Sequence, residues 1–183
     1  MHPLLLGVTD LADQAVVLPA IFVAAIALAA LGWRRGAVGW LAGAGLTLGA
    51  ILFLKLLAGA CGFVVESASG HTASAALIAG GLSWMFLGQR GAALGFSLAG
   101  AIAIAATRLA LGVHTWPDVL VGALIGVAGA LATTHLTGPP PARLRRRPLA
   151  LALLVCLFST YGKHLEAEAF IHRIAHTRGC AMP

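Results

Sequence analysis

Residues 107–136 read TRLALGVHTWPDVLVGALIGVAGALATTHL. From Pro117 to Leu136 the chain is a nearly unbroken run of apolar and small residues. Its length matches the roughly 20 residues that a helix needs to cross a bilayer. Immediately before it stands a polar island that begins Thr107-Arg108, reaches His114 and ends at Asp118. Pro117 suits the first turn of the helix that follows. A charged island set against a membrane-length helix predicts an all-α integral membrane protein with polar chemistry at a helix mouth.

Composition agrees. Of 183 residues, 60% are hydrophobic and 10% charged, with mean hydropathy +0.94. A soluble domain carries about 25% charged residues. The length fits a single domain over 1–183, with a polar tail from about residue 163. Working outward from the quoted stretch, membrane helices are expected at about Ala15 to Trp33, Ala37 to Ala58, Thr72 to Leu87, Ala92 to Thr107, Pro117 to Leu136 and Pro148 to Tyr161. That makes about six transmembrane helices in a compact bundle, the sixth the shortest. Pro139-Pro140-Pro141 ends the fifth. In the tail, Ala167, Phe170, Ile171 and Ile174 share one helical face and predict a short amphipathic helix on the membrane surface.

The arginines are grouped. Arg34 and Arg35, Arg90, and Arg143 with Arg145 to Arg147 fall in loops that share one side if six helices span. The positive-inside rule makes that side cytoplasmic. An anionic-lipid site is the other reading of the same clusters. No basic stripe interleaves with aromatics, so nucleic acid is not an expected partner. The first residues lack the positive start of a cleavable signal peptide. Glycines four apart (Gly39 and Gly43, Gly45 and Gly49, Gly122 and Gly126) predict close helix packing within the bundle, with dimerisation as the alternative. Trp33, Trp40 and Trp84 lie near helix ends, as interfacial belts do. His135 is read as interfacial, Trp116 as a possible lipid-chain contact, and Glu66 as an auxiliary polar group or a solvated loop residue. Cys61, Cys156 and Cys180 form no C-x-x-C pair, so no zinc or redox site is indicated. His172, His176 and Cys180 have metal-like spacing but are read as incidental.

A second island, Ser69-Gly70-His71-Thr72, precedes the third helix. A helix start offers unpaired N–H groups and a partial positive charge to an anion. Gly70 is expected to make a tight turn there. Arg108 can clamp a phosphate with two parallel hydrogen bonds. Asp118 lies four residues after His114, close enough to bond one ring nitrogen and leave the other to attack phosphorus. A simple ion pair between Arg108 and Asp118 is the structural alternative.

Taken together, Arg108, His114 and Asp118 at their spacing, following the Ser69-Gly70-His71 island, resemble the type 2 phosphatidic acid phosphatase superfamily, which includes vanadium haloperoxidases. The resemblance covers about Lys55 to Asp118. It implies a haloperoxidase-like helical core and metal-independent hydrolysis, with no cofactor. It implies that His114 attacks phosphorus to form a phosphohistidine, that Asp118 orients it, and that His71 protonates the leaving oxygen. It implies phosphate contacts from Ser69, Gly70, Arg108 and Lys55. The sequence departs from the family at Thr107, where serine is usual, and at Ala68, where proline is usual. In the first motif, Lys55 is followed seven residues on by Gly62-Phe63 instead of Arg-Pro. Arg173 or Arg178 of the tail could replace that arginine, and a Cys61–Cys180 disulfide on the outer side would bring the tail near.

The expected function is that of a membrane phosphatase acting on lipid phosphate or diphosphate monoesters, with substrates such as polyprenyl diphosphates, phosphatidic acid or phosphatidylglycerophosphate. A lipid phosphotransferase is a close alternative. A non-catalytic lipid-binding membrane protein or small transporter is a different class. The expected place is a bacterial inner membrane, with both islands facing the periplasm or exterior. The sequence leaves the oligomeric state open.

Overall fold

The structure, a computed structural model, describes residues 2–61 and 68–163, with side chains from 5–58 and 68–163. Among these residues there are seven helices and no strand: α1 His2–Asp10, α2 Gln14–Ala30, α3 Arg34–Cys61, α4 Gly70–Leu87, α5 Arg90–Ala110, α6 Trp116–Thr137 and α7 Arg146–Thr160. The tail helix, Glu66, Arg173, Arg178, His172, His176, Cys180 and the thiol of Cys61 lie outside the described residues.

Four stretches are long and apolar enough to cross a membrane: Leu5–Ala30, Arg34–Ala58, Arg90–Ala110 and Trp116–Thr137. Of the six expected spans, the third and sixth do not reach that standard. α4 has 18 residues, but His71, Thr72, Ser74 and Ser83 dilute its apolarity. α7 has 15 residues. At 1.5 Å per residue that is about 22 Å, short of a hydrocarbon core of roughly 30 Å. The first span starts earlier than expected, because α1 precedes α2 after a short turn.

Small residues set the topology. Among lipid tails, helices gain nothing by hiding from water, so close packing must hold them together. Gly39, Gly43 and Thr47 of α3 meet Thr137, Thr133 and Gly129 of α6 in antiparallel order. Gly122 and Gly126 of α6 meet Ser69 and Ala73 of α4, and Thr137 bonds Trp84, so α4 and α6 run parallel along their length. α5 returns between them, antiparallel to α4, with Ser97 donating to the Ala76 carbonyl at 2.9 Å. α4 is thus the central rod, packed on α3, α5 and α6. Two glycine pairs pack inside the bundle as expected. The third does not: Gly45 and Gly49 are exposed and face open space.

The tryptophans correct the belt reading. Trp33, Trp40 and Trp84 are buried in the core. Gly36 and Gly81 leave the slots that Trp33 and Trp40 fill. Each buried indole N–H needs an acceptor. Trp40 donates to the Ile21 carbonyl at 2.9 Å, and Trp84 to Thr137 Oγ1 at 2.9 Å. The Trp33 and Trp40 rings join Leu28, Leu77, Met85 and Leu149 in one cluster that ties α2, α3, α4 and α7. His135 is exposed, consistent with an interfacial position.

Because α4 and α6 are parallel and α3 and α5 run against them, the starts of α3 and α5 and the end of α6 share one end of the bundle. This end carries Arg34, Arg35 and Arg90, and Arg35 Nε lies 3.4 Å from the Leu136 carbonyl. The opposite end collects the starts of α4 and α6, the ends of α3 and α5, and the turn between α1 and α2.

Candidate functional site

Both polar islands lie at that opposite end, joined through the backbone. The Ser69 N–H donates to the Asp118 carbonyl at 3.0 Å. Gly122 makes the approach possible: a Cβ there would stand 2.4 Å from the Ser69 carbonyl oxygen. Two helix N-termini therefore converge, each adding about half a positive charge from its aligned peptide dipoles.

α4 begins with its own cap. Ser69 Oγ accepts the Thr72 hydroxyl at 3.0 Å and, more weakly, the Thr72 N–H at 3.4 Å. Ser69 is fully buried, and its hydroxyl is occupied with its own helix. Gly70 corrects the turn reading: it is the first residue of α4 and does not have a positive φ. A Cβ at Gly70 would meet only Ile51 at 3.6 Å and Lys55 Cε at 3.9 Å. The missing side chain leaves room above the lysine stem. Lys55, on the last part of α3 and buried, thus reaches the S-G-H island although fifteen other positions, several apolar, separate it from His71 in sequence.

α6 begins with a capping box. Asp118 Oδ2 accepts the Thr115 N–H at 2.9 Å and the Thr115 hydroxyl at 2.7 Å. The same oxygen lies 3.7 Å from His114 Nδ1. Asp118 is 1% exposed and the His114 side chain 7%. The separation is an ion-pair distance, longer than a hydrogen bond, and such pairs commonly tighten only when substrate is bound. With Nδ1 turned to the carboxylate, Nε2 is on the far side of the ring. Asp118 forms no ion pair with Arg108; its partners are Thr115 and His114, which corrects the alternative reading of a simple Arg108–Asp118 bridge. Arg108 sits in the last turn of α5, where Thr107 anchors the helix end by bonding the Thr9 hydroxyl at 2.7 Å.

His71, in the first turn of α4, also has a carboxylate. Its Nε2 lies 3.8 Å from Asp13 Oδ2. Sequence spacing had set His114 apart as the histidine with an acid beside it. In space both histidines have one. Thr9, Asp13 and Gln14 were missed, although an Asp just before an apolar run is a readable helix cap. The structure thus gathers Ser69, Gly70, His71, His114, Asp118 and Lys55 at one end, with Arg108 on the adjoining end of α5. Among the described residues, no three His, Cys, Asp or Glu side chains cluster to hold a metal.

An anion entering here would meet two helix starts, an ammonium group and a guanidinium, with two imidazoles backed by carboxylates. That combination can bind a phosphoryl group, attack it and supply a proton. No curated protein and no solved structure matches the chain at a significant level. A family model described as the PAP2 superfamily matches residues 58–139, which hold both islands and exclude Lys55 and Asp13. The match points to phosphatase-type chemistry, and the apolar helices to a membrane protein. Over residues 58–139, then, the chain is similar to the PAP2 superfamily.

Proposed function

We propose that the protein is a membrane lipid-phosphate phosphatase working through a phosphohistidine on His114. The observation that supports this reading is the junction of two helix starts by the Ser69–Asp118 backbone bond, which brings the helix starts bearing His71, His114 and Asp118 together. His114 Nε2 attacks phosphorus while Asp118 steadies the ring. The bond from phosphorus to the lipid oxygen breaks, and His71 gives that oxygen its proton, releasing the lipid alcohol. Water then attacks the phosphohistidine and gives a proton to His71. The P–N bond breaks, orthophosphate leaves, and both histidines return to their starting states. Lys55 and Arg108 offset the charge on the phosphoryl oxygens. No cofactor takes part. The whole chain forms one catalytic unit.

The surroundings support a lipid substrate. The polar end holds the phosphate, and the flanking helices present apolar faces to lipid chains. Trp116, 68% exposed between His114 and Asp118, is placed to touch such a chain. The arginine end is cytoplasmic by the positive-inside rule, so the site faces the periplasm or exterior of a bacterial inner membrane. The test is phosphate release from phosphatidic acid and a polyprenyl diphosphate by purified protein in detergent. Wild type should release phosphate, and His114→Ala should release none while remaining folded. Activity retained in His114→Ala, or a phosphohistidine trapped at another position, would refute the assignment.

A further inference from the structure

The turn joining α1 to α2 lies outside the family-matched stretch, yet its carboxylate meets both the start of α2 and His71 of α4. Asp13 Oδ1 accepts the Ala15 N–H at 2.7 Å and caps α2. Asp13 Oδ2 faces His71 Nε2 at 3.8 Å. The turn is fixed on both sides of this contact. Thr9 meets Thr107 of α5 at 2.7 Å, and Gln14 Nε2 donates to Ser74 Oγ of α4 at 3.1 Å. A cap needs one oxygen, and Ser, Thr or Asn serves as well as Asp. Capping does not explain a second oxygen aimed at an imidazole on another helix. A buried carboxylate is costly unless a charge or hydrogen bonds compensate it.

We propose that Asp13 is the positioning residue of His71. Its charge holds the ring through Nε2, so that Nδ1 is the nitrogen that hands the proton on. It also stabilises the positive charge that the ring carries before transfer. This proposal rests on the phosphatase reading. As the His114–phosphorus bond forms and the phosphorus–oxygen bond to the lipid breaks, the proton moves from His71 Nδ1 to the departing oxygen. Asp13 stays ionised throughout, beside a neutral imidazole once transfer is complete. Each histidine then has its own acid: His114 one from its own helix cap, His71 one delivered by the N-terminal turn.

Asp13→Asn tests this, because asparagine keeps the cap and the shape and removes only the charge. With phosphatidic acid, kcat should fall about tenfold with KM unchanged, a part of the roughly 100- to 10,000-fold that a general acid supplies. The loss should shrink with 4-nitrophenyl phosphate, whose leaving group needs no proton. In a His71→Gln background, Asp13→Asn should cost nothing further. Equal losses with both esters, or losses that add in the double variant, would mean a purely structural role and overturn the proposal. If wild type is active and Asp13→Asn matches it, the Asp13 assignment alone fails. If wild type hydrolyses neither ester, the reaction itself is wrong and the role falls with it.

Discussion

Replacing Gly122 by alanine should separate catalysis from stability. A Cβ at this position would stand 2.4 Å from the Ser69 carbonyl oxygen, 3.2 Å from its carbonyl carbon and 3.3 Å from Thr72 Cβ. The first is a backbone atom that cannot rotate away, so α4 and α6 must part. Reaching ordinary contact requires an opening of about 1 Å, and a misplacement of about 1 Å can cost roughly a hundredfold in rate. The opening lies beside the Ser69–Asp118 bond, and it moves His71 away from His114. Stability should change little. Overpacking costs about 1–3 kcal/mol, and alanine recovers roughly 1 kcal/mol of helix propensity over glycine. Turnover of phosphatidic acid should therefore fall about a hundredfold, with thermal unfolding close to wild type. Gly45→Ala is the control, because Gly45 faces open space. Wild-type turnover in Gly122→Ala would refute the claim that contact between these two helix starts sets the distance between the histidines.

Two further outcomes follow from positions at the same end. Gly70→Ala should fold normally, since its nearest neighbours are at 3.6 Å and 3.9 Å, but its methyl group occupies the room above Lys55. KM for phosphatidic acid should rise with thermal unfolding unchanged, and an unchanged KM would remove Gly70 from the anion position. For sidedness, a cysteine at Val113, which is exposed on the second island, should react with a membrane-impermeant thiol reagent on intact spheroplasts of a cysteine-free background. A cysteine at Ala142, in the basic loop, should not react; the reverse pattern would place the chemistry on the cytoplasmic side.

Much of the helical layout was legible because α2, α3, α5 and α6 are long apolar runs broken by glycine, proline or arginine. The His114–Asp118 pair was legible because both residues share one helix cap, where spacing fixes distance. The central place of α4 was not, since composition does not reveal which helix the others surround. The tryptophans misled for a related reason. An aromatic near a helix end reads as interfacial unless the glycine that receives it on another helix is known, as Gly81 receives Trp40. The Asp13–His71 contact was hidden because two intervening spans separate the residues in sequence. Gly70 was read as a turn because glycine permits one, whereas here the useful property is the absence of a side chain.

The position of α4 also bears on how the protein is made. The helix at the heart of the bundle is among the least suited to stand alone among acyl chains, since it carries a histidine and several hydroxyls along its length. Its shields, α5 and α6, are synthesised after it. During translation α4 must therefore remain at the insertion machinery, or against α2 and α3, until the next two helices arrive. Insertion of this protein is then expected to be a cooperative event of the α4–α6 unit, and the last of these three to arrive, α6, follows directly on His114, the proposed nucleophile. The proposed catalytic centre would come into being at the same step that makes α4 tolerable to the lipid.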